Sequence, residues 1–141
     1  LYSEQLALEA GLATDPYDEI GILQSELFRA VRLVVDTGIH YKKWTREEAM
    51  NYMKEKTGMS DTEVRSEIER YIVWPAQALS YKVGMLKVLE LRQLAMDALG
   101  DDFNFKEFLS ILLDNGEPPL FILEKLVKDW IALKQSVSEL S

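Results

Sequence analysis

Leu27-Phe28-Arg29-Ala30-Val31-Arg32-Leu33-Val34-Val35-Asp36-Thr37-Gly38-Ile39-His40 is an apolar helical pattern with one line of charge drawn through it. Arg29, Arg32, Asp36 and His40 follow one another at steps of three, four and four, which places them in a single column on a helix. Leu27, Phe28, Ala30, Val31, Leu33, Val34 and Val35 take almost every other position, so this helix is expected to be buried nearly all round. Buried charges need partners. Two readings of the column stay open: the four residues satisfy one another and tie helices together, or they line a cleft in which His40, the only histidine, does chemistry or binds a ligand.

The pattern extends outward in both directions. Upstream, Leu1 to Ala10 reads as the end of a helix that stops at Gly11, and Asp15-Pro16 supplies a cap and a first-turn proline for a long helix from Pro16 to His40. Downstream, Thr45 with Glu48 and Ser60 with Glu63 have capping-box spacing, and each opens a short helix. The first of these ends near Gly58; the second carries Val64, Ile68, Tyr71 and Ile72 on one face. Trp74-Pro75 is expected to stop that helix and start a second long one, to Leu99, with Ala76, Ala78, Ser80 and Gly84 allowing close backbone approach. Gln77 and Tyr81 share a face there, and the plain reading of Tyr81 is a core aromatic whose hydroxyl has found a partner. Asn104 with Glu107 gives another capping signal, for a helix closing before Gly116. Pro118-Pro119 then precedes a stripe of Leu123, Leu126, Val127, Trp130 and Leu133, and the polar tail after Gln135 is expected to fray. No segment alternates as a strand does, so the expected architecture is all-α, about seven helices with two of them long, over a single helical segment 1–141.

Composition narrows the function. With 141 residues and 48% apolar content the chain can build a core. Its net charge of −8 makes sequence-independent nucleic-acid binding unfavourable, and Asp61, Glu63, Glu67 and Glu69 put acid where a helix-turn-helix needs base. No apolar run is long enough for a membrane span. One histidine and no cysteine cannot assemble HExxH, a thiolate zinc set or a di-iron bundle, and no glycine-rich phosphate loop or calcium loop occurs. No metal site is therefore expected within the chain. The groups left for an accessory role are His40, Tyr81, Arg29, Arg32, Arg70 and Lys82.

The order of longer motifs is distinctive: Leu1-Tyr2-Ser3-Glu4-Gln5-Leu6, then Arg29 through His40, then Glu69-Arg70-Tyr71-Ile72-Val73-Trp74-Pro75-Ala76-Gln77-Ala78-Leu79-Ser80-Tyr81-Lys82-Val83-Gly84, then the closing pattern from Phe103 through Gly116 to Leu120. Together they resemble the bacterial family known as domain of unknown function 885, over essentially the whole chain. The resemblance implies a longer, often exported or lipoprotein-type parent, similar to helical zinc metallopeptidases of the gluzincin kind. An HExxPGH segment and a Glu-Gly-Trp-Ala segment, which would carry the zinc ligands, would lie before Leu1. The chain, which opens without Met, then reads as a cleaved or partial product that forms the C-terminal part of a catalytic domain.

In that setting His40 and Tyr81 are the expected transition-state donors, Arg29, Arg32 and Lys82 the expected receivers of a substrate carboxylate, and Asp36 and Gln77 the orienting groups. Zinc is expected in the full-length protein and no cofactor in this chain. The expected partners are the N-terminal remainder of the same protein and a peptide substrate, with self-association of the chain taken alone. Relatives commonly have Phe-His where this chain has Phe108-Leu109, so no histidine acts there. The competing reading is a non-catalytic helical binding or scaffolding module whose polar column is structural.

Overall fold

The computed structural model describes residues 1–138. Seven α-helices follow in order: α1 (Tyr2–Glu9), α2 (Pro16–His40), α3 (Arg46–Thr57), α4 (Asp61–Val73), α5 (Ser80–Leu99), α6 (Phe105–Asp114) and α7 (Leu120–Ser138), with no strand among the described residues. Two short 3-10 turns, Gln77–Leu79 and Gly100–Asp102, lie on either side of α5. The all-α expectation and the helix count hold.

Local chemistry explains most of the boundaries. The Asp15 carboxylate accepts from Tyr17 N–H ahead of Pro16, and both capping boxes form, with Thr45 and Ser60 accepting from the Glu48 and Glu63 N–H groups while those carboxylates return to the cap backbone. Asn104 accepts from Lys106 and Glu107 N–H. The Glu107 carboxylate does not complete a box; it takes hydrogen bonds from Trp130 Nε1 and Lys134 Nζ instead. The chain divides into two compact units, Leu1–Met85 and the residues from Leu86 onward.

In the first unit, Val31 and Val35 of α2 pack with Ala49 and Met53 of α3, Val64, Ile68 and Tyr71 of α4, and Ala78. Gly38 stands within α2 for a reason of space. Trp44 folds back so closely that a β-carbon at Gly38 would lie 2.4 Å from its ring, while Trp44 N–H donates to the Gly38 carbonyl. In the second unit, Leu91, Ala95 and Leu99 of α5 pack with Phe108 of α6 and Leu123, Val127 and Ile131 of α7.

Four expectations need correction. First, α2 is not buried all round: Leu27 is 47% exposed and Val34 is also exposed, because α3 and α4 are short and cover one side of its C-terminal half. Second, no helix runs continuously from Pro75. Trp74 leaves the helical conformation (φ −132°, ψ 73°), Ala76 takes a left-handed conformation (φ 68°), and α5 begins only at Ser80. A long-range hydrogen bond overrides the proline signal here: the Asp36 carboxylate accepts from Ala76 N–H at 3.1 and 3.2 Å and holds the turn open. Third, Gly84 meets no close neighbour, so it does not mark a backbone approach. Fourth, Leu133 is 64% exposed and Ile131 takes its place in the stripe, while Ile72 of α4 also faces outward. Helix α7 continues through Ser138; the rest of the tail for which fraying was expected lies outside the described residues.

Candidate functional site

The column on α2 meets the turn between α4 and α5, and the resulting cluster lies wholly within the first unit. Arg32 and Asp36 are each 2% exposed. Arg32 Nη2 donates to Gln77 Oε1 at 2.9 Å, and Arg70 Nη1 donates to the same oxygen at 3.2 Å. Gln77 thus holds two guanidinium groups on one amide oxygen. The second face of Arg70 pairs with Glu67, whose Oε2 also accepts from the Tyr71 hydroxyl. Burial and that hydrogen bond to Glu67 raise the Tyr71 phenol well above its ordinary range.

His40 is half-buried. Its Nε2–H donates to the Tyr71 carbonyl at 2.9 Å, in the last turn of α4, where orphan carbonyls and the helix dipole favour a donor. Asp36 does not meet the imidazole that it was expected to orient, because both its oxygens are taken by Ala76 N–H. Lys82 is likewise engaged, in an ion pair with Glu26 of α2.

Tyr81 departs from the plain reading of it as a core aromatic. It is 45% exposed, with its ring centroid 4.7 Å from the Arg29 guanidinium carbon and 4.8 Å from that of Arg32. Phe28 lies against the same two groups at 5.2 and 5.6 Å. The two arginines are therefore set between aromatic faces, an arrangement that fixes guanidinium planes without neutralising them. The Nε atoms of both Arg29 and Arg32 are buried without a hydrogen-bond partner.

Of the expected site residues, Arg29, Arg32, Gln77 and Tyr81 come together, while His40, Asp36 and Lys82 have their bonds directed to Tyr71, Ala76 and Glu26. Phe28, Glu67 and Tyr71 were not anticipated in the site. Glu67, Arg70 and Tyr71 stand at i, i+3 and i+4 on α4, a spacing that could have shown the ion pair and hydroxyl bond in advance. Among the described residues no group of three His, Cys, Asp or Glu side chains comes together to hold a metal ion. The donor set of the column does not fit one either, because its histidine and carboxylate are already spent on backbone groups.

The comparisons with known proteins bear on this geometry. None of the curated proteins matches the chain. The crystal structure of "the putative lipoprotein from Colwellia psychrerythraea" is similar over 93% of this chain, at 54% identity with a TM-score of 0.90. The chain spans only 23% of that protein's chain. A family model described as bacterial protein of unknown function, DUF885, matches residues 1–127, and the chain belongs to that family.

Proposed function

We propose that this chain is the C-terminal part of a zinc-dependent peptidase, exported from a bacterial cell, in which it supplies substrate-binding and transition-state groups. Zinc, held by residues outside this chain, would polarise the scissile carbonyl and activate water. The observation that carries the reading is Tyr81, an exposed phenol with its ring laid on two guanidiniums and no hydrogen-bond partner for its hydroxyl among the described residues. A neutral O–H donor held in place by its ring suits the stabilisation of a developing oxyanion, because a preorganised donor costs no reorganisation as charge forms. His40 acts in this reading as a positioning residue. Through Tyr71 it fixes the end of α4, from which Arg70 reaches Gln77, and its Nδ1 remains for a further contact. The likeness to the Colwellia protein, described as a "putative lipoprotein", supports export. The exposed apolar residues Leu12, Tyr17, Ile20 and Leu23 on and before α2 form the face for the remainder of the parent protein.

Hydrolysis of a broad peptide panel by the full-length protein, with and without a chelator, tests this. Cleavage abolished by chelation and restored by zinc is expected; chelator-insensitive cleavage, or none, would overturn it. One set of observations favours the scaffolding alternative. Arg32, Asp36, His40 and Arg70 all make internal bonds that tie α2 to α4 and the following turn. On that reading His40→Ala would lower the melting temperature and leave the activity of the folded parent untouched.

A further inference from the structure

The charges of the first unit do not balance around Tyr81. Arg32 is almost wholly buried, yet the acceptor its guanidinium meets is the neutral amide oxygen of Gln77. Arg70 shares that oxygen. Arg29 makes neither an ion pair nor a hydrogen bond among the described residues and rests on the rings of Tyr81 and Phe28. The carboxylates nearby are committed elsewhere: Asp36 to Ala76 N–H, Glu67 to Arg70 and Tyr71, and Glu26 to Lys82.

Withdrawing a guanidinium from water without a carboxylate costs free energy, and bringing a second one to the same ring adds repulsion. The aromatic faces offset part of that cost, but they leave the donor edges of the forks unneutralised. A fold that carries net charge −8 has acid in excess, and still places none against Arg29. That pattern is the one expected where an anion from outside the chain completes the site. A planar carboxylate matches the guanidinium fork, which can donate two parallel hydrogen bonds to it. A groove of about 370 Å³ lined by Phe28, Met59, Thr62 and Glu67, among others, adjoins the same Phe28 ring and has room for the chain that bears such a group.

We propose that Arg29 and Arg32, clamped by Tyr81, form a subsite for a carboxylate of the bound peptide, either its free C-terminus or an Asp or Glu side chain. The proposal rests on the peptidase reading for the identity of the ligand. Arg29 supplies the free fork; Arg32, held by Gln77, supplies fixed positive potential behind it.

Ligand-observed NMR titration of the full-length protein tests this with three probes that have no inter-residue peptide bond to cleave: N-acetylalanine, its amide, and the α-amide of N-acetylglutamate. At least one of the two acids is expected to bind about tenfold or more tightly than the neutral amide. A preference for N-acetylalanine assigns the C-terminus as the source, and one for the glutamate derivative assigns a side chain. Arg29→Gln is expected to abolish the preference and Arg29→Lys to restore part of it. Tyr81→Leu, which frees the fork without removing its charge, is expected to weaken it even if Arg29→Gln folds poorly. Equal binding of all three probes, or an acid preference that survives Arg29→Gln, would overturn the subsite. Peptide hydrolysis without acid preference removes the subsite alone; acid preference without hydrolysis of any peptide removes the peptidase reading alone.

Discussion

The core shared by α2, α3 and α4 and the core gathered around Phe108 both have apolar centres, but among the described residues charge is buried only in the first. Arg32 and Asp36 are as deeply buried as the valines beside them. The second core keeps its ion pairs outside: Lys87 with Glu124, Lys128 with Glu124, and Lys134 with Glu107 all lie at partly or fully exposed positions around a centre of Leu91, Phe108, Val127 and their neighbours. Buried apolar contact stabilises a fold without further requirements, whereas a buried charge must be matched atom by atom. The first unit accepts that requirement and leaves it incompletely met at Arg29 and Arg32. The difference separates a part of the chain whose residues answer to packing alone from a part whose residues answer to something more.

Substitutions can break that comparison. The largest effect is expected from Phe108→Ala in the second unit, a fully buried ring whose loss should cost about 3–5 kcal/mol in denaturant unfolding. Acid-selective ligand binding should nevertheless persist in the fraction that remains folded. Asp36→Ala in the first unit should cost about 1–3 kcal/mol, because it leaves Ala76 N–H without its acceptor and removes the bond that holds a left-handed alanine. In contrast with Phe108→Ala, it should also disturb binding at Gln77 and Tyr81, since that turn carries Gln77 and leads into the first turn of α5, where Tyr81 lies. Thr45→Ala, which removes one half of a capping box and none of the bonds of the charged cluster, should cost about 1 kcal/mol and leave binding alone.

The smallest effects are in pH. Hydrogen bonds from Lys128 and Lys87 hold the Glu124 carboxyl down at about 2. The stability it contributes is complete above its ordinary value of 4.5 and is lost as pH falls toward 2. Glu124→Gln should therefore flatten the acid limb of a melting-temperature profile. Tyr71 has the opposite sign. Its phenol is raised, so its contribution is complete below pH 10 and lost as pH rises beyond it, and Tyr71→Phe should flatten the alkaline limb.

The same division separates what the sequence made legible from what it did not. Helices set by neighbours in the chain were readable: Asp15 before Pro16, Thr45 with Glu48, and Ser60 with Glu63 each fixed a boundary that the structure keeps. The start of α5 was not readable, because the bond that decides it joins Asp36 to Ala76 across forty residues and no local signal records it. The column on α2 was legible as a set of positions, since helical spacing alone places Arg29, Arg32, Asp36 and His40 together. Its partners were not: spacing cannot tell that His40 would donate to a carbonyl of α4 or that Tyr81 would lie over two arginines instead of entering a core.

The peptidase account turns on the Tyr81 hydroxyl, and Tyr81→Phe isolates it by keeping the ring on both guanidiniums while removing only the O–H. Melting temperature and peptide hydrolysis should be measured together on the full-length protein. The account predicts unchanged melting and a kcat lower by about 10²–10³-fold, the loss typical of one oxyanion donor; unchanged melting with an unchanged rate would contradict it.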